Sequence, residues 1–563
     1  MSKIVQQATD QLRTLIIEAV GRAVAAGKLP AEPIPDFTIE VPADRAHGDW
    51  AANAAMVSAR AFRMAPRKIA EAIGENLSLD GSYFEKFEIA GPGFLNFFLG
   101  RTFYSEVLRD VRRLGDSYGR SDFGGGKKVM VEFVSANPTG PMHMGNARGG
   151  ALGDCLAAVL DAAGYDVWRE FYVNDAGNQI EKFGVSLEAR YLQIFKGEDA
   201  VPFPEDGYHG DDIRERAQEF ADENGDRYVD ADPAERRKAL VGYALPRNIA
   251  RMKADLEKYR IQYDQWFLES SLHEGGEVRA VVDLLREKGM TYEQDGATWY
   301  RATQFGAEKD EVLIRQNGNP TYFAADIAYH RNKFNRGFDR CIDVWGADHH
   351  GHVARMKGAM NAIGLDGSKL DVVLMQLVNL MKDGQPVRMS KRTGKAIQLA
   401  DLLDEVSVDA ARFLFNMREA TSAMDFDLDL AVKQDSQNPV YYVQYAHARI
   451  CSILKALAAE GITPRECTDE ELALLTAPEE IELIRHISAY TGEIIGAAKD
   501  YDPARITRYV ITLANLFHKF YNACRVKGAE PSLAAARLEL CTASATVIRN
   551  VLSMFKITAP TSM

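Results

Sequence analysis

Residues Val131–Asp154 read VEFVSANPTGPMHMGNARGGALGD, and the rest of the chain is organised around this stretch. An apolar run at 129–134 predicts a strand, and the Asn-Pro and Gly-Pro pairs that follow predict a tight turn. Apolar residues at helical spacing from Leu152 to Leu160 then predict a helix. Because the first backbone N–H groups of a helix bind anions, this strand, turn and helix predict a site for nucleotide phosphates.

Composition indicates a reduced, cytoplasmic protein of several domains. The chain has 563 residues and is 46% hydrophobic, which is ample for about two to four domains. Its six cysteines are scattered without a C-x-x-C pair, so no structural zinc is expected. No membrane association is expected either, because no apolar run is long enough to span a bilayer. The net charge of −13 argues against coating nucleic acid through bulk charge, but it leaves an RNA partner possible at a local basic face.

The pattern of elements predicts a multidomain α/β protein. Residues 1–120 combine helical segments with a hairpin pattern and predict an N-terminal α+β domain. Residues 121–425 alternate strand and helix patterns, which predicts a doubly wound parallel sheet of the Rossmann type. An insertion is expected around 185–250, and its acidic, Gly- and Pro-rich part at 197–236 is read as an insertion or mobile excursion. Residues 426–563 predict an all-α helical bundle.

Two short motifs carry residues suited to phosphate chemistry. In His143-Met144-Gly145-Asn146 the glycine lets a phosphate approach the backbone, and the imidazole can donate to a phosphoryl oxygen; the alternative is a turn histidine that caps a helix. The second motif, RMSKRTG at 388–394, is small, polar and cationic. Its lysine is suited to neutralising β- and γ-phosphates in a transition state, and the alternative is a solvated basic loop.

Together these motifs resemble the signatures of the class I aminoacyl-tRNA synthetases. His143–Asn146 stands where that class has H-x-G-H, and Arg388–Arg392 where it has K-M-S-K-S. Further runs, which cover nearly the whole chain, are similar to one family of the class, the arginyl-tRNA synthetases: SANPTGPMHMGNARGGALGD, YVNDAGNQI, TYFAADIAYH, VWGADHHGHVARMK, MSKRTG, VDAARFLF and NPVYYVQYAHARI. The N-terminal runs HGDWAANAAM and GPGFLNFFL resemble that family's additional domain.

The resemblance implies an ATP site with its Mg²⁺. It implies catalytic roles for His143 and Lys391, and ATP contacts from the residues His143, Gly145, Asn146, Gly346, Asp348, Met389, Ser390 and Lys391. Two departures from the family pattern stand out. Asn146 replaces the usual second histidine, so it can donate a hydrogen bond but cannot carry charge, and arginines replace the outer lysine and serine of the second motif.

A strand-to-helix turn at Gly346–His352 has two readings. His349 and His352 fall on one helical face, which invites a zinc site, but zinc would need more ligands than the neighbourhood offers. Contacts of Gly346 and Asp348 with a ribose or adenine fit the turn better. Asn174, Asp175 and Gln179 end another strand at the same sheet edge, and they are read equally as site-lining residues or as helix caps.

Two carboxylates predict a pocket for a guanidinium group. Glu132 lies in an otherwise apolar strand, and a buried carboxylate requires a cationic partner. Asp326 lies four residues after Tyr322, on one face of a predicted helix. A planar guanidinium offers five donors to such a group of acceptors. The alternative is that Glu132 pairs with a structural Lys or Arg and that Asp326 caps or bridges locally. The resemblance implies that arginine is bound by Glu132, Ser135, Asn137, Tyr322 and Asp326, with Asp348 as a further contact.

The C-terminal helices combine aromatic and cationic side chains, which suits unstacked bases and phosphates, although an ordinary helical bundle has both as well. The resemblance makes this the anticodon-binding domain, with Tyr441, Tyr445 and Arg449 as tRNA contacts. It also implies that the N-terminal domain touches the tRNA elbow, where Asp49, Trp50 and Asn53 are candidates.

The combined interpretation is an enzyme that activates L-arginine with ATP and transfers it to the 3′ end of its cognate tRNA, tRNA(Arg). The family resemblance implies that tRNA must be bound before activation proceeds, and it favours a monomer. Three alternatives are weighed against it: another class I synthetase such as a lysyl enzyme, a non-catalytic tRNA-binding protein, and a nucleotidyltransferase that acts on a small acid. The paired carboxylates and, more strongly, the C-terminal runs argue against the lysyl enzyme. The presence of His143, Gly145 and Lys391 argues against a non-catalytic protein, and the long helical C-terminus argues against the nucleotidyltransferase.

Overall fold

The computed structural model describes residues 3–42, 44–387 and 397–563. Its N-terminal part is a four-stranded antiparallel sheet, in the strand order β1-β2-β4-β3, covered by helices. The elements, in chain order, are α1 (Lys3–Ala25), β1 (Ile39–Glu40), β2 (Trp50–Ala52), α2 (Ala54–Phe62), α3 (Pro66–Gly74), β3 (Phe84–Ala90), β4 (Phe94–Leu99) and α4 (Arg101–Leu114). Helix α2 begins only at Ala54, because Trp50 pairs with Phe97 in the sheet and its indole is buried against Phe84.

The central part is built on a five-stranded parallel sheet, in the strand order β12-β11-β5-β6-β7. Its first elements are β5 (Lys128–Glu132), α5 (Met144–Ala162), β6 (Asp166–Val173), α6 (Asn178–Lys196), α7 (Asp211–Asn224), α8 (Pro233–Lys258), β7 (Gln265–Leu268), α9 (Glu269–Glu274) and α10 (Glu277–Glu287). Then follow β8 (Thr291–Gln294), β9 (Ala297–Tyr300), β10 (Glu311–Ile314), α11 (Tyr322–Asn335), β11 (Arg340–Gly346), α12 (His350–Ala362) and β12 (Leu370–Met375).

Helices cover both faces of this sheet. On β5, Val129 and Val131 pack into the same apolar core as α5, whereas Met130 faces the core that contains α11. This alternation buries the central strand on both faces, which explains its apolar run. The predicted doubly wound fold is therefore confirmed. The strand order reverses between β5 and β11, and ligands bind at the carboxyl ends of strands at such a switch point.

The acidic stretch at 197–236 is more regular than predicted. Nearly half of it forms α7 and the start of α8, which pack with α6 around their own apolar core of Phe183, Leu187, Tyr191, Ile213, Phe220 and Leu240. The start of α8 carries a recognisable signal, because Asp232 accepts hydrogen bonds from the first turn and Pro233 occupies its first position. The acidic composition therefore marks a solvated face of a helical insertion.

Two smaller sheets and a helical bundle complete the chain. Strands β8, β9 and β10 form one antiparallel sheet, and a second sheet holds β13 (Val378–Lys382), β14 (Gln385–Val387) and β15 (Met424–Asp427). Helices α13 (Leu399–Glu405), α14 (Val408–Phe415) and α15 (Leu428–Ala431) accompany the second sheet. The predicted C-terminal bundle comprises α16 (Pro439–Ala459), α17 (Asp469–Leu472), α18 (Pro478–Ser488), α19 (Tyr490–Asp500), α20 (Ala504–Ala523) and α21 (Pro531–Met554). Among the described residues, no helix is both long and apolar enough to cross a bilayer.

The small residues of α5 allow this helix to lie close to the sheet. A side chain at Gly153 would overlap the ring of Phe133, and one at Gly150 would lie 2.8 Å from Ile261 Cδ1. Close packing holds the N-terminal end of α5 beside the carboxyl end of β5. The Gly-Gly-Ala-Leu-Gly run after the first motif is therefore a packing requirement of this strand–turn–helix.

A buried ion cluster fastens α5 to the end of the chain. Arg412 of α14 pairs with Asp154 of α5, and both side chains are almost fully buried. Arg412 also donates to the carbonyl oxygens of Phe555 (2.6 Å) and Tyr259 (3.0 Å), and Lys556 Nζ lies 2.9 Å from Asp154. Burial alone would raise the pKa of the Asp154 carboxyl, but Arg412 and Lys556 outweigh burial and hold this pKa below its usual value.

We expect Arg412→Met to destabilise the fold by about 3–5 kcal/mol, because it leaves Asp154 buried without its guanidinium partner. The midpoint of urea unfolding measures the loss. Lys258→Met is the control: it removes an ion pair with Asp404 that is about half exposed, so it should cost less than about 1 kcal/mol. Equal shifts for the two variants would contradict a structural role for the cluster.

Candidate active site

A cavity of about 980 Å³ opens at the carboxyl ends of β5 and β11. Strand ends, the start of α5, the first turns of α11 and a loop of the helical insertion form its walls. Most of the predicted site residues within the described ranges line it: Glu132, Ser135, Asn137, His143, Asn146, Tyr322, Asp326, Gly346 and Asp348. Gly145 lies in the exposed first turn of α5, next to these residues but outside the lining. Lys391, Met389 and Ser390 lie outside the described residues.

The chain leaves β5 through a strained turn. Val134 has a φ of 70° and Ser135 a φ of 41°, and Ser135 N donates to Phe133 O at 3.0 Å. A β-branched residue at positive φ is uncommon, and such conformations are concentrated at functional sites. Because of this turn, β5 ends at Glu132 rather than at Val134 as predicted. The turn also directs Ser135 Oγ back towards Glu132, to which it donates at 2.8 Å.

The start of α5 is held by the asparagine that departs from the family pattern. His143 is the residue that precedes the helix, and its backbone N–H donates to Asn146 Oδ1 at 3.0 Å. An amide oxygen serves this purpose without carrying charge. His143 thus caps the helix through its backbone while its side chain lies at the cavity, so the two readings of the motif are both compatible with the structure.

The first motif is also tied to the chain just after the second motif. Met144 N donates to Ile397 O at 3.1 Å, and Leu399 N donates to Met142 O at 2.9 Å. His143 and Gln398 therefore lie opposite each other in an antiparallel bridge. This pairing anchors Ile397, Gln398 and Leu399 beside the start of α5.

Glu132 belongs to a buried ionic network. It pairs with Lys333 Nζ, which also lies 2.8 Å from Asp343 Oδ1, and His330 Nε2 lies 2.9 Å from Asp343 Oδ2. Burial raises the pKa of Glu132, although Lys333 opposes this shift. Burial also favours the neutral form of Asp343, but there Lys333 and His330 outweigh it and lower the pKa. The structural pairing considered for Glu132 is thus present, and the same carboxylate also lines the cavity.

Asp326 and Tyr322 face the same cavity from α11. Asp326 Oδ2 lies 3.2 Å from His352 Nε2, which is the local bridge considered as an alternative. Tyr322 is 64% exposed, unusually high for a large aromatic residue and consistent with a ring that projects into the opening. Two carboxylates and a phenol therefore meet at one cavity, whatever else each of them contacts.

The turn after β11 lines the opposite part of the wall. Asp348 is largely exposed and lies 3.6 Å from His349 Nε2, while His352 is directed towards Asp326. Among residues 3–42, 44–387 and 397–563, no three His, Cys, Asp or Glu side chains are grouped to hold a metal ion. The YVNDAGNQI run contains both site-lining and helix-capping residues. Asn174 and Gln179 line the cavity, whereas Asp175 accepts hydrogen bonds from the first turn of α9.

The sequence reasoning missed several lining residues. Tyr208, His209 and Asp212 reach the cavity from the helical insertion, and Tyr172 reaches it from β6. The hydroxyl of Tyr208 donates to Gln179, and burial raises the pKa of Asp212. The Gly-Tyr-His-Gly run at 207–210 resembles an ordinary turn, so only the docking of the insertion reveals this wall.

The C-terminal bundle carries a separate pocket of about 340 Å³. Its lining includes all three predicted tRNA contacts, Tyr441, Tyr445 and Arg449, together with His518 and Tyr442. The rings of Tyr445 and His518 are stacked with centroids 6.1 Å apart. Burial and Arg449 lower the pKa of His518, and neither ring nitrogen has a hydrogen-bond partner in the described part of the chain. The ring nitrogens of half-buried His518 are thus shielded from solvent beside an aromatic pocket.

The N-terminal candidates mainly hold the fold together. Asn53 Oδ1 accepts from Thr38 N at 2.9 Å and links β1 to the start of α2. Asp49 lies 2.7 Å from Arg485 of α18, and Trp50 is buried. Asp49 and Trp50 are therefore core residues, and half-buried Asn53 alone is accessible to a partner.

Comparisons with known proteins bear on all three parts of the chain. Residues 10–99 match the arginyl tRNA synthetase N terminal domain, residues 114–450 the catalytic domain of "tRNA synthetases class I (R)", and residues 443–563 the DALR anticodon binding domain. The arginine–tRNA ligases of Caldanaerobacter subterraneus and Acetivibrio thermocellus are 58% and 55% identical, each over 100% of both chains.

Solved structures agree with these matches. The chain resembles a putative arginyl tRNA synthetase from Campylobacter jejuni with a TM-score of 0.74 and 34% identity, over 83% of this chain and 100% of that one. The arginyl-tRNA synthetase of Thermus thermophilus has a TM-score of 0.73 over 98% of this chain and 100% of its own; at 21% identity it shows the shared fold. On these sequence matches, which extend over its full length, the chain belongs to the arginyl-tRNA synthetase family.

Proposed function

We propose that the chain activates L-arginine with ATP and transfers it to the 3′ end of tRNA(Arg), releasing AMP and pyrophosphate. The observation that carries this proposal is the convergence of Glu132, Asp326 and Tyr322 with the start of α5 on one cavity. Carboxylates suit a guanidinium, and a helix N-terminus suits a phosphate. One cavity therefore offers both kinds of contact within reach of each other.

Catalysis in this proposal is positioning and charge stabilisation. The arginine carboxylate attacks the α-phosphorus of ATP and pyrophosphate leaves; the ribose hydroxyl of the terminal adenosine then attacks the carbonyl of the adenylate and releases AMP. His143 and the helix N-terminus stabilise phosphoryl charge, and Lys391 acts on the departing pyrophosphate. Gly145, Asn146, Gly346, Asp348, Met389 and Ser390 complete the proposed ATP site, and Ser135, Asn137 and Asp348 the proposed arginine site.

Mg²⁺ enters this proposal with ATP. Magnesium is usually held by substrate phosphates, waters and one or two carboxylates rather than by a protein cage. Asp348, whose side chain is 80% exposed at the cavity, is a carboxylate of that kind. When bound, the ion would neutralise phosphate charge.

Further proposals concern the domains and the cellular setting. We assign residues 1–120 to a tRNA-elbow-binding domain in which Asn53 touches RNA, residues 121–425 to catalysis with an insertion around 185–250, and residues 426–563 to anticodon binding. The matched segments at 10–99, 114–450 and 443–563 support this division. We also propose that the enzyme is a cytoplasmic monomer and that bound tRNA is needed for activation.

Pyrophosphate exchange tests the proposed substrate and the role of RNA. We expect ATP–pyrophosphate exchange with arginine only in the presence of tRNA(Arg), and no exchange with lysine under either condition. Exchange with lysine alone would overturn the specificity. Full exchange with arginine in the absence of tRNA would overturn the requirement for RNA while leaving the enzyme class intact.

Lys391→Ala should lower the rate of arginine activation by about a hundredfold or more, since a cation that acts on the leaving pyrophosphate is lost. The KM for arginine should stay near the wild-type value, because this lysine is not assigned to the arginine site. Lys382→Ala is the matched control; Lys382 lies on the β13–β14 hairpin, and its ammonium donates to Glu405 at the end of α13. A large rise in the arginine KM for Lys391→Ala would show that the role is misassigned.

Tyr445→Ala should weaken tRNA binding by about 1–3 kcal/mol, because a base can stack on this 40% exposed ring. Filter binding of tRNA(Arg) measures the effect, and the arginine KM should not change. Tyr445→Phe keeps the ring and should bind nearly as the wild type does. Equal loss in both variants would indicate that the hydroxyl, rather than stacking, makes the contact.

A further inference from the structure

Lys333 is a buried lysine of α11 that lies behind the cavity wall. Its side chain has no exposed surface, and its Nζ contacts Glu132 and lies 2.8 Å from Asp343 Oδ1. The ammonium also lies 4.4 Å from the centroid of the Tyr329 ring. Lys333 is not among the residues that line the cavity, so it acts on a ligand only through its neighbours.

The contacts of Glu132 leave part of the carboxylate available to a ligand. One oxygen, Oε2, receives Lys333, and the other, Oε1, receives Ser135 Oγ at 2.8 Å. Ser135 Oγ is itself oriented, because it accepts a hydrogen bond from Tyr172 N at 3.1 Å. An ionised carboxylate has about four lone-pair sites, so each oxygen keeps one acceptor position. Since Glu132 lines the cavity, these two positions suit the parallel N–H groups of a guanidinium.

We propose that Lys333 is a positioning residue for arginine recognition: it holds Glu132 ionised and in the orientation that accepts the guanidinium of the substrate. This inference rests on the proposed function and adds to it a residue outside the cavity. Asp343 completes the arrangement, because it shares Lys333 with Glu132. Two carboxylates and one ammonium leave a net negative charge that a cationic side chain can neutralise.

The charged surroundings of Glu132 determine how its ionisation responds to mutation. Lys333, His330 and Tyr329 face it from α11, Asp343 from β11, Tyr172 from β6, and Tyr263 from the segment before β7. Among these, Lys333 is the principal group that favours the charged carboxylate, whereas burial and Asp343 favour the neutral one. Removing the ammonium therefore raises the pKa of Glu132 further.

The test is the KM for arginine in tRNA-supported pyrophosphate exchange, measured between about pH 6 and 9. Lys333→Met should raise the arginine KM by about tenfold or more while the ATP KM stays near wild type. The KM of the variant should fall as the pH rises and Glu132 ionises, and the midpoint of this change should lie at higher pH than in the wild type. An unchanged arginine KM, or a raised KM with an unshifted pH profile, would overturn the proposal.

Arg336→Met is the matched control. Arg336 follows α11 directly and forms two hydrogen bonds with buried Glu170, at 2.6 and 2.7 Å, away from the cavity lining. The Arg336→Met variant loses a buried ion pair next to α11, so its kinetics report the effect of general destabilisation. Its arginine KM and pH profile should remain those of the wild type; a shift equal to that of Lys333→Met would assign the effect to loss of stability.

A double variant covers the case in which Lys333→Met does not fold. Glu132→Gln combined with Lys333→Met removes one carboxylate together with the ammonium, so only Asp343 must be accommodated, and it keeps its contact with His330. If Lys333 acts through Glu132, the double variant should have the same arginine KM as Glu132→Gln alone. A higher arginine KM in the double variant than in Glu132→Gln would overturn the proposal. A wild-type protein without arginine-dependent exchange would instead overturn the proposed function itself.

Discussion

The buried ammonium of Lys333, held between Glu132 and Asp343, is the interaction on which the candidate site depends. Glu132 ends the central strand and lies opposite Asp343 in the parallel register of β5 and β11. Two ionised carboxylates at neighbouring positions in a buried part of the sheet would repel each other, and a cation between them offsets this electrostatic repulsion. The lysine comes from α11, so the helix that carries Tyr322 and Asp326 is fixed to the two strands at the switch point of the sheet.

The helical insertion is attached to the same site from the other side. Asn248 of α8 donates to Pro138 O in the turn after β5 at 3.0 Å, and Arg251 donates to Gln398 at 3.3 Å. Gln398 lies opposite His143 in a backbone bridge. The insertion therefore contacts the turn and the chain just after the second motif, which in turn pairs with the start of α5, and it supplies Tyr208 and Asp212 to the cavity wall.

Much of this architecture was predictable because the signals are local. The apolar run of β5, the proline-rich turn and the helical spacing of α5 lie within one continuous stretch, and each follows from periodicity and turn chemistry. The strain at Val134 was not predictable, since it depends on how the turn docks against Tyr172 of the neighbouring strand. Helix α7 and the start of α8 were missed because the acidic face of α7 obscured the apolar spacing of Ile213, Ala217 and Phe220.

The sequence by itself determined the order of elements, the two motifs, the likeness to one synthetase family and the group of carboxylates suited to a guanidinium. Only the tertiary structure decided the partner of each carboxylate. Lys333 lies 201 positions from Glu132 in the sequence. His352 belongs to α12, whereas its partner Asp326 belongs to α11. Periodicity and capping report interactions within a few residues, whereas an ion pair between distant segments forms only after the sheet has brought them together, and its strength depends on burial in the folded core.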